Sequence, residues 1–334
     1  MRKPDFNNIL KVLQRQTPDR PTLFEFFLNP PLYAFLAGCD SSEFSYPYVK
    51  VEPVMSAFAA AGYDYATVHG STFHFSTGQK DSEKTHSLND GAVITGRESF
   101  DSYVWNDPDT FDYSAIKNVI PLQGMKLMVC APSGILENVI ALCGYENLCI
   151  MTYEEPQLVY DIFEQVGSRL LRYYELSIKQ KAVGILMSND DWGFNTQTML
   201  SPIDMRKYVF PWHKKIVELA HETGIPAVLH SCGNLNEIMD DIIDDLKYDG
   251  KHSYEDNILC VEDAYRKWNS RIAILGGIDL NFVVSRTPAE ITARSCVMLE
   301  LGKTGYALGT GNSVPDYVPW ENYFAMTKAV LDKN

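Results

Sequence analysis

Short apolar runs that end in polar or glycine residues alternate along the chain with segments of helical periodicity. The apolar runs, each typical of a buried strand, cover residues 21–27, 63–70, 126–132, 183–190, 226–233, 248–253, 271–279 and 305–312. Helical patterns lie between and after them, at residues 53–61, 135–142, 155–180, 205–223, 235–245, 261–267, 288–301 and 320–333. Strands that alternate with helices predict parallel pairing through crossover helices. Eight such units predict an α/β fold, a closed (β/α)8 TIM barrel formed by a single domain of residues 1–334.

A second interpretation of this pattern is an open, doubly wound sheet, but no Gly-x-Gly-x-x-Gly turn follows the first predicted strand.

Two predicted helices have clear starts, because Ser201-Pro202 and Thr287-Pro288 each place a capping hydroxyl before a proline at the first helical position. Residues 78–118 have weak periodicity and many polar positions. We expect an inserted excursion there, between the second and third strands, which can form a hairpin and cover the mouth of the barrel.

The composition narrows the classes of partner. A formal net charge of −14 repels phosphate backbones, so nucleic acid is not expected as a partner. The chain has no apolar run of the roughly 18 to 20 residues that a membrane-spanning helix needs, so no membrane is expected either. The seven cysteines are scattered singly, without a Cys-x-x-Cys pair, which indicates a reducing compartment and predicts a cytoplasmic protein.

Polar side chains end nearly every predicted strand. In a (β/α)8 barrel the active site gathers at the carboxyl ends of the strands, so these residues are the candidates for chemistry. In strand order they are Glu25, His69, Asp190 with Asp191, His230 with Cys232, His252, Asp279 and Asn312. A barrel with only structural loops would not need a functional group at so many strand ends.

The most specific of these signals is His230-x-Cys232. Residues two apart on a strand point to the same face, so this pair offers two ligands for a borderline ion, above all zinc. The alternative is a buried core cysteine beside a histidine that hydrogen-bonds a neighbouring strand. A catalytic zinc site needs a third protein ligand. His252 on the next strand is the first candidate for it, followed by Asp190, Asp191, Glu25 and Asp279.

The remaining candidates have a catalytic and a structural interpretation. Asp190, Asp191 and Asp279 can act as catalytic groups, although Asp190 or Asp191 can equally cap a following loop or helix, and Asp279 can bond backbone N–H groups in a tight turn. Aromatic residues flank the polar strand ends, which suits a flat apolar substrate, although most aromatic residues in a barrel serve packing. The predicted substrate-binding residues are Glu25, Phe27, His69, Trp192 and Asn312.

Several of these segments, taken in order, resemble the uroporphyrinogen decarboxylase superfamily. The resemblance covers nearly the whole chain, is strongest from about Gly184 onward, and itself implies a (β/α)8 barrel. The segments are Asp190-Asp191-Trp192-Gly193, Leu200-Ser201-Pro202, His230-Ser231-Cys232-Gly233-Asn234, Gly276-Gly277-Ile278-Asp279, Gly309-Thr310-Gly311-Asn312 and Pro319-x-Glu321-Asn322.

The resemblance implies one of two chemistries. True uroporphyrinogen decarboxylases carry an arginine-rich motif near the N-terminus that grips propionate carboxylates, whereas residues 24–29 of this chain read Phe-Glu-Phe-Phe-Leu-Asn. The acid there would repel a polycarboxylate. The other branch consists of zinc-dependent cobalamin methyltransferases, which bind zinc through a His-x-Cys pair and a later cysteine. His230 and Cys232 match the pair, but residues 309–312 read Gly-Thr-Gly-Asn in place of the later cysteine.

Within that branch, the chain is most similar to the methyltransferase component of corrinoid-dependent O-demethylases. This implies transfer of a methyl group from an aromatic methyl ether of the methoxyphenol type to the Co(I) of a corrinoid protein, with zinc as Lewis acid and the cobalamin carried by that partner protein. The alternatives are a decarboxylase or lyase acting on an unknown acid, a cobalamin methyltransferase for a thiol or small substrate, and a barrel that binds corrinoid or an accessory protein without turnover.

Overall fold

Seven parallel strands, paired in the order of the sequence, form a single curled sheet. The computed structural model describes residues 2–44, 50–78 and 87–333. Its strands are β1 (Tyr65–His69), β2 (Lys126–Cys130), β3 (Val183–Asn189), β4 (Ala227–His230), β5 (Gly250–His252), β6 (Ala273–Leu275) and β7 (Tyr306–Ala307). Helices cover the sheet between successive strands, and the predicted TIM-barrel-like α/β fold is confirmed.

The first predicted strand, residues 21–27, is extended but is not a regular strand. Leu23 forms a parallel bridge with Leu308 just beyond β7. On the other side, the backbone N–H of Glu25 donates to the Tyr65 hydroxyl at 2.8 Å, and that hydroxyl donates to the Glu25 carbonyl at 2.7 Å. A side chain of β1 therefore takes the hydrogen bonds that a backbone ladder would make. The segment still lies between the last strand and the first, where the missing strand was expected.

The helices follow the predicted apolar periodicity, with additional short helices around them. Their bounds are α1 (Asn7–Leu13), α2 (Pro30–Ala37), α3 (Val51–Ala61), α4 (Arg97–Ser102), α5 (Ser114–Lys117), α6 (Ile135–Cys143), α7 (Tyr145–Glu154), α8 (Pro156–Ile178), α9 (Pro202–Asp204), α10 (Phe210–Glu222), α11 (Val261–Trp268), α12 (Leu280–Ser285), α13 (Pro288–Leu301) and α14 (Trp320–Leu331). No helix in the described part of the chain is long and apolar enough to cross a membrane.

Two predicted helices differ from their expected form. The helix expected over 205–223 begins with a π-helical turn, Met205–Val209, and becomes regular as α10. Pro211 has no N–H to donate to the carbonyl four residues earlier, so the regular ladder cannot run through this point. The helix expected over 235–245 is largely a π-helical turn at Asp241–Asp245. The capping predictions for Ser201 and Thr287 are confirmed, since both side chains accept the expected backbone hydrogen bond.

For the excursion over residues 78–118 the sequence allowed a hairpin, but the described part contains short helices instead. Its residues 79–86 lie outside the described part of the chain, and the described remainder contains the short helices α4 and α5 but no strand. Arg172 of α8 forms an ion pair with Asp109 at 2.6 Å, and Arg97 forms one with Asp161 at 2.7 Å. The excursion is therefore held against the outside of α8, and among its described residues Asp112 and Ala115 reach a cavity at the barrel mouth.

The strand register brings the carboxyl ends of the strands to one level. His69 pairs with Cys130, Asn189 with His230, and His230 with His252. β1 and β2 end together, and β3 to β5 end together two residues further on, because Cys130 pairs with Met187. The side chains at these ends share one rim, as the sequence predicted.

Candidate functional site

Three potential metal ligands converge where β3 and β4 end. Asp191 follows β3, His230 is the last residue of β4, and Cys232 lies two residues further on. The loops after these strands pass each other closely, because a Cβ on Gly233, which has φ of +84°, would lie only 2.0 Å from the Gly193 carbonyl oxygen. Glycine at both positions therefore allows the approach that brings Asp191 to Cys232.

The geometry of this cluster suits a zinc ion. One ligand atom from each of Asp191, His230 and Cys232 lies within 4.8 Å of the others. The Cys232 Sγ is 3.7 Å from the His230 Nε2, and this nitrogen is 3.9 Å from the Asp191 Oδ1. Tetrahedral zinc with ordinary bond lengths separates its ligand atoms by about 3.4 to 3.8 Å. Sulfur, imidazole nitrogen and carboxylate oxygen are all zinc donors, so the set fits that ion.

The hydrogen bonds behind His230 fix which of its nitrogens faces the cluster. The Nε2 of His252 lies 3.0 Å from the Thr310 carbonyl oxygen, which can only accept, so this nitrogen carries a proton. In neutral His252 the Nδ1 is then an acceptor, and it lies 2.8 Å from the His230 Nδ1. His230 therefore donates from Nδ1 and keeps the lone pair of Nε2 for the cluster. Outer hydrogen bonds of this kind orient metal-binding histidines.

His252 was the first candidate for the third zinc ligand, but this chain of hydrogen bonds places it behind His230, away from the cluster. Both of its ring nitrogens are directed at His230 and Thr310, and neither belongs to the cluster. Burial keeps both imidazoles neutral: it lowers the pKa of His230 to about 3, with a smaller contribution from Lys251, and it lowers the pKa of His252 well below its ordinary value. Neutral imidazole is the form in which histidine binds a metal.

Cys232 is held from two further directions. Its backbone N–H donates to the Asp191 Oδ1 at 2.8 Å, and the Asn312 Nδ2 lies 3.3 Å from its sulfur. Burial, and after it the charge of Asp191, raises the pKa of the Cys232 thiol. The thiol therefore keeps its proton until a metal displaces it. Asn312, a predicted substrate-binding residue, thus lies against the candidate metal centre.

Asp190 lies on the opposite side of the strand from Asp191 and has structural partners. Its Oδ2 accepts from the Leu136 N–H at 2.9 Å and its Oδ1 from the Glu137 N–H at 3.0 Å, so it caps the start of α6. The Nε2 of buried His213 lies 2.9 Å from the same carboxylate. The structure therefore places Asp190, predicted as catalytic, behind the rim, and Asp191 at it.

Asp279 also has the structural surroundings that were its alternative. Its side chain accepts from the Phe282 N–H at 2.9 Å, as the cap of α12, and from the Asp256 N–H at 3.0 Å. Both carboxylate oxygens are thereby used by backbone groups. Asp279 is not part of the cluster of Asp191, His230 and Cys232.

Glu25 is fully buried and bonded to Thr310. Its Oε1 accepts from the Thr310 N–H, and its Oε2 lies 2.8 Å from the Thr310 hydroxyl. That hydroxyl has one proton and also contacts the Asn312 carbonyl oxygen, which can only accept. The network is satisfied if Glu25 donates to Thr310, and burial accordingly raises the pKa of Glu25 to about 8. Neutral Glu25 therefore connects the first segment by hydrogen bonds to Thr310, just beyond the end of β7.

Phe27 and His69 line a cavity of about 560 Å³ at the mouth, next to α2 and α3. Their rings are 5.4 Å apart, and the ring of Phe27 lies 4.2 Å from that of Phe26 at a tilt of 36°. Phe26 in turn lies 4.4 Å from the ring of His230. Two of the predicted substrate-binding residues thus face one cavity, which is separated from the candidate metal centre by the Phe26–Phe27 pair.

Trp192 has a different environment from the predicted one. It is fully buried, 4.7 Å from the ring of His213 and 5.4 Å from that of Phe210, and it does not line this cavity. Tyr33 and Val54 do line it, although the sequence did not single them out. The signal for Tyr33 was the Asn29-Pro30 pair, a cap and a first-turn proline, which indicates a helix starting directly after the first barrel segment. Val54 lies on α3, within the helical pattern predicted over 53–61.

The fold has a counterpart among solved structures. A methyltransferase from Methanosarcina mazei superposes with a TM-score of 0.69, covering 99% of this chain and 99% of that chain at 16% sequence identity. At this level of identity the likeness shows the fold alone.

Sequence comparisons lead to a family. The uroporphyrinogen decarboxylase of Parasynechococcus marenigrum (strain WH8102) is 25% identical over 200 residues, which are 57% of this chain and 53% of that protein. Uroporphyrinogen decarboxylase 2, chloroplastic, of Oryza sativa subsp. japonica is 22% identical over 195 residues, or 56% and 47% of the two chains. This chain spans about half the length of the curated relatives it matches. The family model for uroporphyrinogen decarboxylase (URO-D) matches residues 119–332, most of the chain and all three residues of the candidate metal centre. The chain therefore belongs to the uroporphyrinogen decarboxylase family.

Proposed function

We propose that this protein is a zinc-dependent methyltransferase that demethylates an aromatic methyl ether and passes the methyl group to the Co(I) of a separate corrinoid protein. The observation that carries the proposal is the cluster of Asp191, His230 and Cys232, which supplies three zinc donors at the mouth of the barrel. A catalytic zinc site has three protein ligands and leaves a position for substrate. The shared fold of the Methanosarcina mazei methyltransferase is consistent with this chemistry.

In this proposal each residue has a defined task. Asp191, His230 and Cys232 would hold the zinc, and His252 keeps the Nε2 of His230 free of a proton through its hydrogen bond to Nδ1. Bound zinc supplies Lewis acidity, which draws charge from an ether oxygen and makes the phenolate a better leaving group. Phe26 covers the ring of His230 and keeps water from that side. In the proposed transfer the ether oxygen would retain the electron pair of its broken bond to the methyl carbon, and the Co(I) of the corrinoid protein would supply the pair for the new bond.

The ligand set favours an ether over a thiol as substrate. A carboxylate oxygen is a harder ligand than a thiolate and gives less charge to zinc, so Asp191 in place of a second cysteine leaves the ion more electrophilic. Polarisation of an ether oxygen needs such an ion.

The names of the curated relatives favour a second candidate, decarboxylation of a porphyrinogen. The substrate of that reaction carries several carboxylates, and residues 24–29 offer no cation to bind them. In that segment Glu25 is buried against Thr310 and Phe26 against His230. Incubation with uroporphyrinogen should release no carbon dioxide, and formation of coproporphyrinogen would decide for the decarboxylase.

Metal analysis and a methyl-transfer assay test the proposal together. Protein purified without chelator should contain about one zinc per chain. With 2-methoxyphenol and free cob(I)alamin as acceptor, the absorbance of methylcobalamin should appear, and it should be lost in Cys232→Ser while that variant keeps its thermal stability. Zinc far below one per chain that added zinc does not restore would contradict the proposal, as would methyl transfer that is equally fast without metal.

A further inference from the structure

The described residues that form the interior of the cavity beside Phe27 and His69 are apolar or uncharged. Its inner wall is made of Leu28, Tyr33, Val51 and Val54, all of them buried in the core. At about 560 Å³ it is within the range of roughly 300 to 1,000 Å³ that holds small-molecule ligands. The interior suits a ring that can replace the lost contact with water by contact with these side chains.

Neutral polar groups lie together in one part of the cavity wall. Thr67, His69 and Ser71 line it there, from the middle of β1 to just beyond its end. Burial lowers the pKa of His69, so its ring is a neutral donor and acceptor. These groups can bond a hydroxyl or ether oxygen, but they offer no charge to compensate a buried carboxylate or ammonium.

The rim of the cavity carries an excess of negative charge. Glu52 and Asp112 line it, and both are exposed. Lys50 is the one cation among the described lining residues, and its Nζ is 2.7 Å from the Glu43 carboxylate. With Lys50 neutralised by that ion pair, an anion that approaches the cavity meets two carboxylates.

We infer that this cavity, which the Phe26–Phe27 pair separates from the candidate metal centre, is the site that admits the methyl donor and selects it by charge before it reaches the zinc: it binds an uncharged methoxylated ring with a hydroxyl group and rejects the same ring when it carries a carboxylate. The inference rests on the proposed function and narrows its substrate class. A carboxylated ring would lose hydration inside the cavity without gaining a cation, and it would pass Glu52 and Asp112 at the entrance. A neutral methoxyphenol meets neither obstacle.

Calorimetry on the zinc-loaded protein, without any corrinoid, measures this selectivity directly. We expect 2-methoxyphenol to bind at least about tenfold more tightly than 4-hydroxy-3-methoxybenzoate at neutral pH. Asp112→Lys should improve binding of the benzoate by about two- to fivefold, as expected for a charge at an exposed site. Asp101→Lys is the matched control, because Asp101 is an exposed acid of the same excursion that does not line the cavity, and it should change neither affinity.

Filling the cavity tests its location. Val54→Trp places a large ring inside and should abolish binding of 2-methoxyphenol, whereas Val104→Trp, at a site that is 80% exposed, should not. If Val54→Trp does not fold, Ala115→Trp at the exposed edge of the cavity serves the same purpose with no core residue disturbed.

The outcomes separate this inference from the proposed function. Selective binding of 2-methoxyphenol that is lost when the cavity is filled supports the inference. If such binding is found but no methyl transfer occurs, the proposed function fails and the inference about the cavity stands. The inference is overturned by equal or tighter binding of the benzoate, or by binding of 2-methoxyphenol that survives filling of the cavity. Methyl transfer observed together with any of these results leaves the proposed function standing.

Discussion

The role of His252 can be decided by comparing two variants at that position. His252→Leu removes both ring nitrogens and keeps a side chain of similar volume. His252→Asn keeps a hydrogen-bond acceptor near the place of Nδ1, where the His230 Nδ1–H donates at 2.8 Å. Both variants lose the bond from Nε2 to the Thr310 carbonyl oxygen. The difference between them therefore isolates the hydrogen bond to His230.

The expected magnitude follows from what the leucine variant leaves behind. With no acceptor, His230 either buries an unsatisfied Nδ1–H, at a cost of about 1 to 3 kcal/mol, or moves its proton to Nε2 and blocks the nitrogen that faces Cys232. Loss of an outer hydrogen-bond partner typically lowers metal affinity by about 10- to 100-fold, or about 1.4 to 2.7 kcal/mol. We expect His252→Leu to weaken zinc binding by that factor and His252→Asn to recover most of it.

Competition with a chromophoric chelator measures zinc affinity, and substitution with Co(II) reports the ligands. The visible spectrum of the Co(II) protein should keep its thiolate charge-transfer band and its tetrahedral intensity in both variants, because Asp191, His230 and Cys232 are unchanged. Thermal unfolding checks that the fold is intact. If the asparagine and leucine variants lose zinc equally and the Co(II) spectrum changes in both, His252 is itself a ligand and the reasoning is refuted.

Three further predictions concern the acids. Asp191→Ala should remove stoichiometric zinc while the melting temperature of the metal-free protein stays within a few degrees of the parent, and retained zinc would exclude Asp191 as a ligand. Asp190→Ala should keep the zinc but lower the free energy of unfolding by about 3 kcal/mol or more in a denaturant titration, because it leaves buried His213 and the start of α6 without their acceptor. An unchanged midpoint would contradict the capping role. Glu25 has a pKa raised to about 8, so the folded protein keeps a proton that the unfolded chain releases near pH 4.5. Its contribution to the free energy of unfolding is therefore complete below about pH 4.5 and is lost as the pH rises through 8, by up to about 1.4 kcal/mol per pH unit. Glu25→Gln should flatten this part of the plot of stability against pH. A variant with the same pH dependence as the parent would show that Glu25 is ionised.

The alternation of strands and helices was readable from the sequence, because burial on both faces of a parallel strand requires a short apolar run and each crossover helix requires an apolar stripe. The fold class and most helices followed from it. The first segment did not form the predicted strand, because its hydrogen bonds go to the hydroxyl of Tyr65, and no local pattern indicates a partner 40 residues away. The pair of His230 and Cys232 was readable too, since their spacing alone places both side chains on one face.

The choice among the acids was decided by the tertiary structure. Asp190 and Asp191 are adjacent, so at the end of an extended strand they must point in opposite directions, and the sequence does not say which one faces the rim. The sequence also placed His252 next to His230, on a neighbouring strand. Only the register, which sets the two histidines side by side, determines that their rings bond each other and that the nitrogens of His252 are used there and at Thr310. A metal centre depends on the directions of a few lone pairs, and these directions are fixed by strand register and by loops from different parts of the chain, not by local sequence.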